Sequence, residues 1–589
     1  MINEFVVHPV DPGVPGEGLQ ESCPISGSGL LNVLWDSVRK LSILCLVLRR
    51  SYGRVSDAMD IPRMGVPEEL AERMSMAEQH EYLRSKFSRR TMIRGGAVTL
   101  GAVAGGVFVP GAVAQAAVPS QASAAYAAAS SSESIDGALV SPFGRHLAFG
   151  NDPSTEVTVS WQVPTNVKKP FVRIGAHPWD LSRKIEAEVR TLYTPAGVGA
   201  SGDHTQYYLH AKLTHLRPGR TYYYGVGHAG FDPAEPHLLG TLGTFTTAPD
   251  RSVPFTFTAF GDEGVGYHGL ANNSLLLGQN PAFHLHAGDI AYADPAGAGQ
   301  TADAGFDSRV WDQFLAQTES VAKSVPWMPS YGNHDMEAWY SPNGYGGEDA
   351  RWNLPDNGPD KKNLPGVYSF VYGNTAVISL DANDISFEIP ANLGISGGTQ
   401  TKWLEAQLKK YRASKDVDFV VVFFHHCAYC TSTAHASEGG VRQEWVPLFE
   451  KYTVDLVING HNHQYERTDV IKAGKVTKKL PIGGTAYPET DGVVYVTAGA
   501  AGRSLYAFTA PVSYEGHESE VESVASFINA KDGKVNETVD WSRVRYLDYS
   551  FLRVDVTPAS KGRTATLKVR GIAETGEEVD HFTVARRVR

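Results

Sequence analysis

Cysteine is scarce in this chain, and its scarcity excludes several small metal or redox folds. The 589 residues include four cysteines, of which only Cys427 and Cys430 stand in a CxxC pair. A zinc ribbon requires a second such pair, and the sequence has none. A thioredoxin-like redox role is disfavoured as well, because the expected redox fold context is missing around the pair.

Strong charge and long apolar runs are also lacking. A net charge of −11 is mild for this length and argues against nucleic acid or an anionic membrane as the main partner. The apolar run 41–48 is too short to span a bilayer, and the Gly/Ala-rich stretch 95–113 is weakly hydrophobic for a stable span. With 42% hydrophobic residues, the composition is that of a globular protein long enough for two domains.

The segment 88–116 resembles a twin-arginine signal peptide. Arg89 and Arg90 precede the weakly apolar stretch, and the small-residue pattern AVAQA follows at 112–116. We therefore expect export by the twin-arginine pathway to the cell envelope or beyond, without a stable membrane span. An ordinary membrane anchor is the alternative. A flexible linker rich in Ala and Ser is expected over 117–137.

Residues 1–87 are a doubtful N-terminal extension. Signal peptides normally begin near the initiator methionine, yet about ninety residues precede the twin arginine. We expect translation to start downstream, at Met74 or Met76. A genuine extension is the alternative, and in either case we expect no chemistry there.

The segment 138–250 has the pattern of a β-sandwich. Val157, Val159 and Trp161 alternate with polar residues, which predicts a strand with one apolar and one wet face. Tyr222 stands where a sandwich of the immunoglobulin or fibronectin type forms its tyrosine corner, and Pro249 closes the segment. We predict a fibronectin-like N-terminal domain.

From residue 251 to 589 strands alternate with helical segments, which predicts an α/β layer structure. The helical segment 401–411 is expected to pack on the sheet. Active groups in such folds lie on loops beyond the carboxyl ends of strands. The candidate buried strands are 255–260, 283–287, 377–380, 419–424, 456–458 and 493–496.

Five short polar clusters, most of them at the end of an apolar run, are the most informative feature. They are GDEG at Gly261, GDIAYAD at Gly288, GNHD at Gly332, HHCAY at His425 and GHNHQYER at Gly460. Each one alone could be a simple turn or surface loop. Together they supply the oxygen and imidazole ligands of cations that activate water and hold phosphate oxygens, which predicts a two-metal phosphoesterase.

The order and residue patterns of the clusters resemble the motifs of the purple acid phosphatase family of the calcineurin-like metallophosphoesterases. The GDxxY form is discriminating, since this family uses that Tyr as a phenolate ligand to ferric iron. The resemblance implies a layered αββα catalytic domain behind the sandwich and a centre of Fe³⁺ plus Zn²⁺, Mn²⁺ or Fe²⁺. The implied ferric ligands are Asp262, Asp289, Tyr292 and His463, and the implied divalent ligands are Asp289, Asn333, His425 and His461.

The adjacent pair His425 and His426 requires a choice, and the family pattern favours His425 because it stands four residues before Tyr429. The family usually has Pro where this chain has Cys427, which is a departure from the pattern. In an exported protein, Cys427 and Cys430 could close a small disulfide beside His425, and we favour that over free thiols.

The resemblance implies an acid phosphatase in which hydroxide bound between the ions attacks phosphorus in line. His334 is the implied substrate contact and proton donor, and His435 a second one, although His435 could be a solvated loop residue. The expected partner is a small phosphate ester. A phosphodiesterase or nucleotidase is the alternative, and a non-catalytic cell-surface binding protein is a further one. The physiological substrate, the divalent ion and the oligomeric state do not follow from the sequence.

Overall fold

The computed structural model describes residues 136–199, 202–299, 305–509, 521–559 and 564–587. The predicted extension, the signal peptide and nearly all of the linker lie outside these residues. Within the described part of the chain, no helix is both long enough and apolar enough to cross a membrane.

Two four-stranded antiparallel sheets form the N-terminal β-sandwich, which confirms the predicted fibronectin-like fold. The strands are β1 Phe143–Phe149, β2 Val157–Val163, β3 Phe171–Gly175, β4 Arg183–Glu186, β5 Glu188–Thr194, β6 His204–Leu213, β7 Thr221–Gly227 and β8 Gly243–Thr246. The first sheet has the order β1-β2-β6-β5 and the second β4-β3-β7-β8. The Tyr222 hydroxyl accepts a hydrogen bond of 2.9 Å from the Arg217 N–H, which is the contact expected of a tyrosine corner.

The prediction that one face of β2 is exposed to solvent is wrong, because both faces of this strand are buried. Thr158 and Ser160 are each 1% exposed. The polar face of the sheet packs against the C-terminal part of the chain. The Ser160 hydroxyl lies 2.7 Å from His210 Nδ1, and the other ring nitrogen of His210 donates to the Ala350 carbonyl at 2.9 Å. The alternation of apolar and polar residues along β2 therefore corresponds to a polar contact between domains.

The described residues from 255 onward form two seven-stranded sheets and two smaller ones. The strands are β9 Phe255–Phe260, β10 His284–Ala287, β11 Trp327–Ser330, β12 Tyr368–Tyr372, β13 Thr375–Ser379, β14 Phe419–Phe424, β15 Ser437–Glu438, β16 Leu456–Asn459, β17 Tyr465–Thr468, β18 Val470–Lys472, β19 Lys475–Lys478, β20 Thr485–Ala486, β21 Tyr495–Ala498, β22 Val521–Asn529, β23 Gly533–Val539, β24 Ser542–Tyr546, β25 Ser550–Thr557, β26 Thr564–Ala573 and β27 Glu578–Arg587. The first large sheet has the order β11-β10-β9-β25-β26-β27-β20, and the second β12-β13-β14-β16-β21-β17-β24.

The two large sheets stack face to face with helices outside, which confirms the layered αββα arrangement. The core between the sheets contains Phe257 and Leu285 of the first sheet with Val421 and Ile458 of the second. The helices are α1 Tyr267–Gly278, α2 Val310–Ala322, α3 Gly346–Arg351, α4 Thr399–Ala413, α5 Gly439–Glu444 and α6 Val446–Lys451.

Continuous apolar runs form the central parallel strands because both of their faces are covered. All six residues of β14 are buried, with helices on one side and the other sheet on the other. The predicted helix at 401–411 lies within α4, which buries Leu404, Leu408 and Tyr411 against the second sheet. The loops beyond these strands are thereby held by a rigid core.

Candidate metal centre

The five polar clusters lie together beyond the carboxyl ends of parallel strands. In the first sheet, β9, β10 and β11 lead into the clusters at 261–264, 288–294 and 332–335. In the second sheet, β14 and β16 lead into the clusters at 425–429 and 460–467. Loops that are far apart in sequence therefore face one another at one edge of the two stacked sheets, the usual place for a site in an α/β fold.

Four of the seven candidate ligands have a left-handed backbone. The φ angles are 61° at Asp262, 53° at Asp289, 59° at Tyr292 and 67° at His461. Residues other than glycine rarely adopt this conformation, and they keep it where the surrounding packing enforces it, most often at functional sites. The fold therefore holds these loops in costly conformations that direct the side chains toward one another.

Asp262, Tyr292 and His463 form the first group of donors. The Tyr292 hydroxyl lies 3.1 Å from Asp262 Oδ1 and 2.9 Å from His463 Nε2. His463 Nε2 lies 3.5 Å from the same Asp262 oxygen, so the three donor atoms surround one point. His463 Nδ1 donates to the Ser504 carbonyl at 2.7 Å, which leaves Nε2 free to bind a cation.

Asp289, Asn333, His425 and His461 form the second group. His425 Nε2 lies 3.2 Å from each of Asp289 Oδ2, Asn333 Oδ1 and His461 Nδ1. Donor atoms of Asp289, His425 and His461 all lie within 4.8 Å of one another. This second group could therefore hold one ion. Burial raises the pKa values of Asp262 and Tyr292 in the first group, and the nearby charge of Asp289 adds to the rise, so Asp289 acts on both groups.

Hydrogen bonds outside the second group orient its donor atoms inward. His425 Nδ1 donates to the Ala287 carbonyl at 2.8 Å, so Nε2 is the nitrogen that faces the other donors. The Asn333 amide nitrogen donates to the Gly297 carbonyl at 3.0 Å, so its oxygen faces His425. Metal ligands are oriented by such outer contacts in most proteins.

Asp335 fixes two of the ligand loops to each other. Its carboxylate accepts hydrogen bonds from the backbone N–H groups of Asp289 and Ile290, both at 2.9 Å, and of Gly332 at 2.7 Å. The carboxylate is fully buried and already occupied, so Asp335 acts on the site by holding the loops rather than by binding a cation.

The charges of the metal-free site favour a cation. Burial opposes the charge of His425, but the carboxylates of Asp289 and Asp262 outweigh it and raise the pKa of His425 to about 10. Burial also opposes ionisation of Asp289, yet His425 and His334 hold its pKa well below the ordinary value. A proton on His425 thus balances the carboxylate charge, and a metal ion would take its place.

The donor set fits a pair of cations. It combines two carboxylates, an amide oxygen and three imidazoles, the ligand types that transition metals take in proteins. Tyr292 adds a phenol oxygen to the first group, and burial followed by Asp262 raises the pKa of this phenol well above its usual value. Only a Lewis acid would ionise the phenol there, so Tyr292 would bind as a phenolate only with a metal ion present.

His334 faces the second group without joining it. Its Nδ1 donates to the Asp294 carbonyl at 2.6 Å, and its Nε2 lies 3.9 Å from Asp289 Oδ2. Burial, partly opposed by Asp289, lowers the pKa of His334 to about 4. The imidazole is therefore neutral at pH 7 in the metal-free site, with Nε2 on the side of Asp289.

His435 lies at the mouth of the site, next to a residue that the sequence did not reveal. The ring of His435 packs on His461 with 4.0 Å between ring centres, and its Nδ1 lies 2.9 Å from Glu388 Oε1. Glu388 Oε2 lies 3.3 Å from His461 Nε2. Glu388 belongs to no motif, and its only signal is an acidic residue in the apolar run SFEIP.

Arg503 is the second residue that sequence reasoning missed. It is 1% exposed, and its guanidinium carbon lies 4.3 Å from the centre of the Tyr292 ring. Its Nε and one Nη have no hydrogen-bond partner within the described residues. The available signal was a lone Arg in the small-residue stretch AGAAGRS, directly after the buried strand β21.

Of the two adjacent histidines, His425 is the one whose ring nitrogen faces the other donors. Neither ring nitrogen of His426 has a hydrogen-bond partner in the described part of the chain. The expected disulfide is wrong in this structure, because Cys427 and Cys430 are free and buried thiols. Each sulfur has another partner: Cys427 Sγ donates to the Gly460 carbonyl, and Cys430 Sγ accepts from the Asn462 amide, both at 3.0 Å.

Comparisons with known proteins agree with this geometry. Residues 142–247 match the family Purple acid Phosphatase, N-terminal domain, and residues 255–465 match Calcineurin-like phosphoesterase. A Mycobacterium tuberculosis protein described as uncharacterized is 32% identical over 483 residues, or 75% of this chain and 87% of that protein. Fe(3+)-Zn(2+) purple acid phosphatase 12 of Arabidopsis thaliana is 25% identical over 384 residues, or 62% of this chain and 72% of that protein.

Among solved structures, purple acid phosphatase PPD1 from yellow lupin (Lupinus luteus) seeds has the same fold. It matches with a TM-score of 0.56 at 21% sequence identity. The match covers 76% of this chain and 75% of the lupin chain.

Proposed function

The chain belongs to the purple acid phosphatase family of the calcineurin-like metallophosphoesterases, and from that premise we propose that it hydrolyses phosphate monoesters as an acid phosphatase. The observation that carries this proposal is the convergence of two groups of donor atoms at the carboxyl ends of five strands. Asp289 contacts the second group directly, and its charge acts on Asp262 and Tyr292 of the first. A single structural ion would not require two groups of donors. The first has a phenol oxygen, which prefers a hard ion, and the second has two imidazoles, which prefer a borderline ion.

The proposed cofactors are Fe³⁺ in the first group and Zn²⁺, Mn²⁺ or Fe²⁺ in the second. Asp262, Tyr292 and His463 would hold the ferric ion, Asn333, His425 and His461 the divalent ion, and Asp289 both. The Arabidopsis relative, whose printed name specifies Fe(3+) and Zn(2+), supports this pairing. When bound, the two ions would supply the Lewis acidity that activates water and neutralises phosphate charge.

The chain's own residues would bind the ester and move protons. His334 is held by the Asp294 carbonyl, so its Nε2 is the atom that would face the ester. The negative charge of a bound phosphate would favour a proton on this nitrogen, and His334 would then donate that proton to a phosphate oxygen or to the leaving alcohol. His435 stands at the mouth with one nitrogen engaged by Glu388, and its other nitrogen would reach the outer part of the ester. Burial of the inner donors limits their contact with bulk water.

Turnover of matched aryl esters tests this function. We expect the metal-loaded protein to hydrolyse p-nitrophenyl phosphate faster than bis(p-nitrophenyl) phosphate. His334→Ala should keep its metals while kcat falls by about 10²- to 10⁴-fold, the usual effect of removing a proton donor or charge stabiliser. His581→Ala, a surface histidine on β27, is the control. Preferential turnover of the diester would replace the proposal by a phosphodiesterase, and no turnover of either would favour a binding protein.

We also propose that the protein is exported by the twin-arginine pathway. Arg89 and Arg90, with the weakly apolar stretch behind them, support this proposal. Export of a folded chain suits a protein that would acquire its metals before it leaves the cell.

A further inference from the structure

One carboxylate connects the two histidines at the mouth of the site. Glu388 Oε1 lies 2.9 Å from His435 Nδ1, and Glu388 Oε2 lies 3.3 Å from His461 Nε2. The side chains of Glu388 and His435 are 20% and 25% exposed, whereas His461 is buried. Glu388 therefore contacts a candidate metal ligand with one oxygen and a candidate substrate contact with the other.

The contact to His461 completes a pattern among the three ligand histidines. The nitrogen that faces away from the metal group donates to Ala287 O in His425 and to Ser504 O in His463. In His461 the corresponding nitrogen is Nε2, and its partner is the Glu388 carboxylate. A carboxylate in this position fixes the tautomer and raises the basicity of the ligand nitrogen.

The loop that carries Glu388 is itself held by a buried acid. The Glu438 carboxylate accepts from the backbone N–H of Phe387 at 2.8 Å, the N–H of Glu388 at 3.2 Å and the Ser386 hydroxyl at 3.0 Å. Glu438 is 1% exposed. Glu388 is thus presented from a fixed loop, as expected of a residue that sets the position of others.

We propose that Glu388 is a positioning residue that holds His461 for the divalent ion and His435 for the substrate in a single arrangement. The His435 half of this inference rests on the proposed phosphatase function. The His461 half concerns metal binding alone. The rings of His435 and His461 pack with 4.0 Å between their centres, and both contact the Glu388 carboxylate, so this carboxylate fixes the two rings relative to each other.

The variant Glu388→Gln distinguishes a role of the carboxylate charge and its two acceptor oxygens from a role of side-chain size alone. A carboxylate can accept from both imidazole N–H groups at once, one on each oxygen. The amide of Glu388→Gln has almost the same size, but it has one acceptor oxygen and presents an N–H to the second histidine. Glu388→Gln therefore loses one of the two contacts or forces one histidine into its other tautomer, and Glu388→Ala loses both contacts.

Zinc titration of the metal-free protein, in competition with a chromophoric chelator, tests the His461 half without any turnover. Wild type should bind two Zn²⁺, and in Glu388→Gln or Glu388→Ala one of the two affinities should fall by about 10- to 100-fold. His435→Gln should leave both affinities unchanged. Glu578→Gln is the matched control, because Glu578 contacts His581 at 2.9 Å on the distant strand β27. Wild-type affinities in both Glu388 variants would overturn the proposal, as would a third Zn²⁺ that only these variants lose.

Kinetics with good and poor leaving groups test the His435 half. Glu388→Gln and His435→Gln should both lower kcat more for phenyl phosphate than for p-nitrophenyl phosphate, since the poorer leaving group depends more on proton donation. The double variant should lose no more than the worse single variant. Additive losses would refute the connection through Glu388. If wild type binds two Zn²⁺ but hydrolyses no ester, the proposed function fails, while the zinc titration still decides the role of Glu388.

Discussion

Gly332→Ala should displace the aspartate that joins the two donor groups. A Cβ added at Gly332 would lie 2.1 Å from Asp289 Oδ1 and 2.6 Å from the Asp289 backbone nitrogen. Real Cβ atoms essentially never approach closer than 3.0 Å, so the Asp289 oxygen must retreat by 0.9 Å, the difference between 3.0 and 2.1 Å. The backbone of Gly332 is extended, with φ −103°, so the effect is one of space and not of backbone strain.

The expected loss follows from what that oxygen does. Asp289 Oδ1 accepts from the His334 backbone N–H at 2.9 Å, and Asp289 Oδ2 faces His425 Nε2 at 3.2 Å. Overpacking of this kind costs about 1–3 kcal/mol in the free energy of unfolding. A misplacement of about 1 Å in a catalytic group lowers turnover by on the order of 10²-fold.

Urea unfolding of the metal-free protein, metal content and phosphomonoester turnover together measure these effects. Gly278→Ala is the control, because nothing lies within 4 Å of a Cβ added at Gly278. Alanine also has a higher helix propensity than glycine at this position, the end of α1. Gly278→Ala should keep full activity. If Gly332→Ala also kept wild-type turnover and metal content, the close approach of Gly332 to Asp289 would not be part of the site.

Three further predictions concern colour, acid stability and export. The oxidised, iron-loaded protein should show a visible charge-transfer band that Tyr292→Phe abolishes; an active, iron-containing, colourless wild type would contradict the ligand. Burial, then Arg190, holds the pKa of His210 well below 6.5 in the folded state, so the unfolded chain takes up the proton first and stability falls as pH drops below 6.5. Between pH 8 and pH 5.5 the wild type should lose about 1.4 kcal/mol more free energy of unfolding in urea than His210→Gln, and an equal loss in both proteins would refute the prediction. Replacing Arg89 and Arg90 by Lys should keep the precursor inside the cell, as shown by fractionation, and normal secretion would exclude the pathway.

The parts of the fold that could be predicted are those set by local sequence. The runs 255–260 and 419–424 correspond to β9 and β14, because a run rich in aromatic and β-branched residues before a polar cluster fits a strand covered on both faces. The strand β25 was not predicted. It lies beside β9 in the centre of the first sheet, although nearly 300 residues separate the paired positions, and no local pattern specifies such a pairing.

The candidate ligands could be named from motifs, whereas their supporting residues could not. Each ligand stands in a cluster that follows a strand, so sequence position and structural position coincide. Glu388 and Arg503 reach the site only because separate loops fold over it, and neither has a motif of its own. The burial of Thr158 and Ser160 likewise depends on a contact between two domains, which alternation along one strand cannot reveal.

The metal content of the purified protein and of Asp289→Ala tests the central claim most directly. Asp289 is the only candidate ligand assigned to both ions, so its loss should empty both positions together. Elemental analysis should find two metal ions per wild-type chain, one of them iron, and neither in Asp289→Ala protein that remains folded by circular dichroism. A wild type that binds no metal, or an Asp289→Ala protein that keeps both ions, would contradict the two-metal centre.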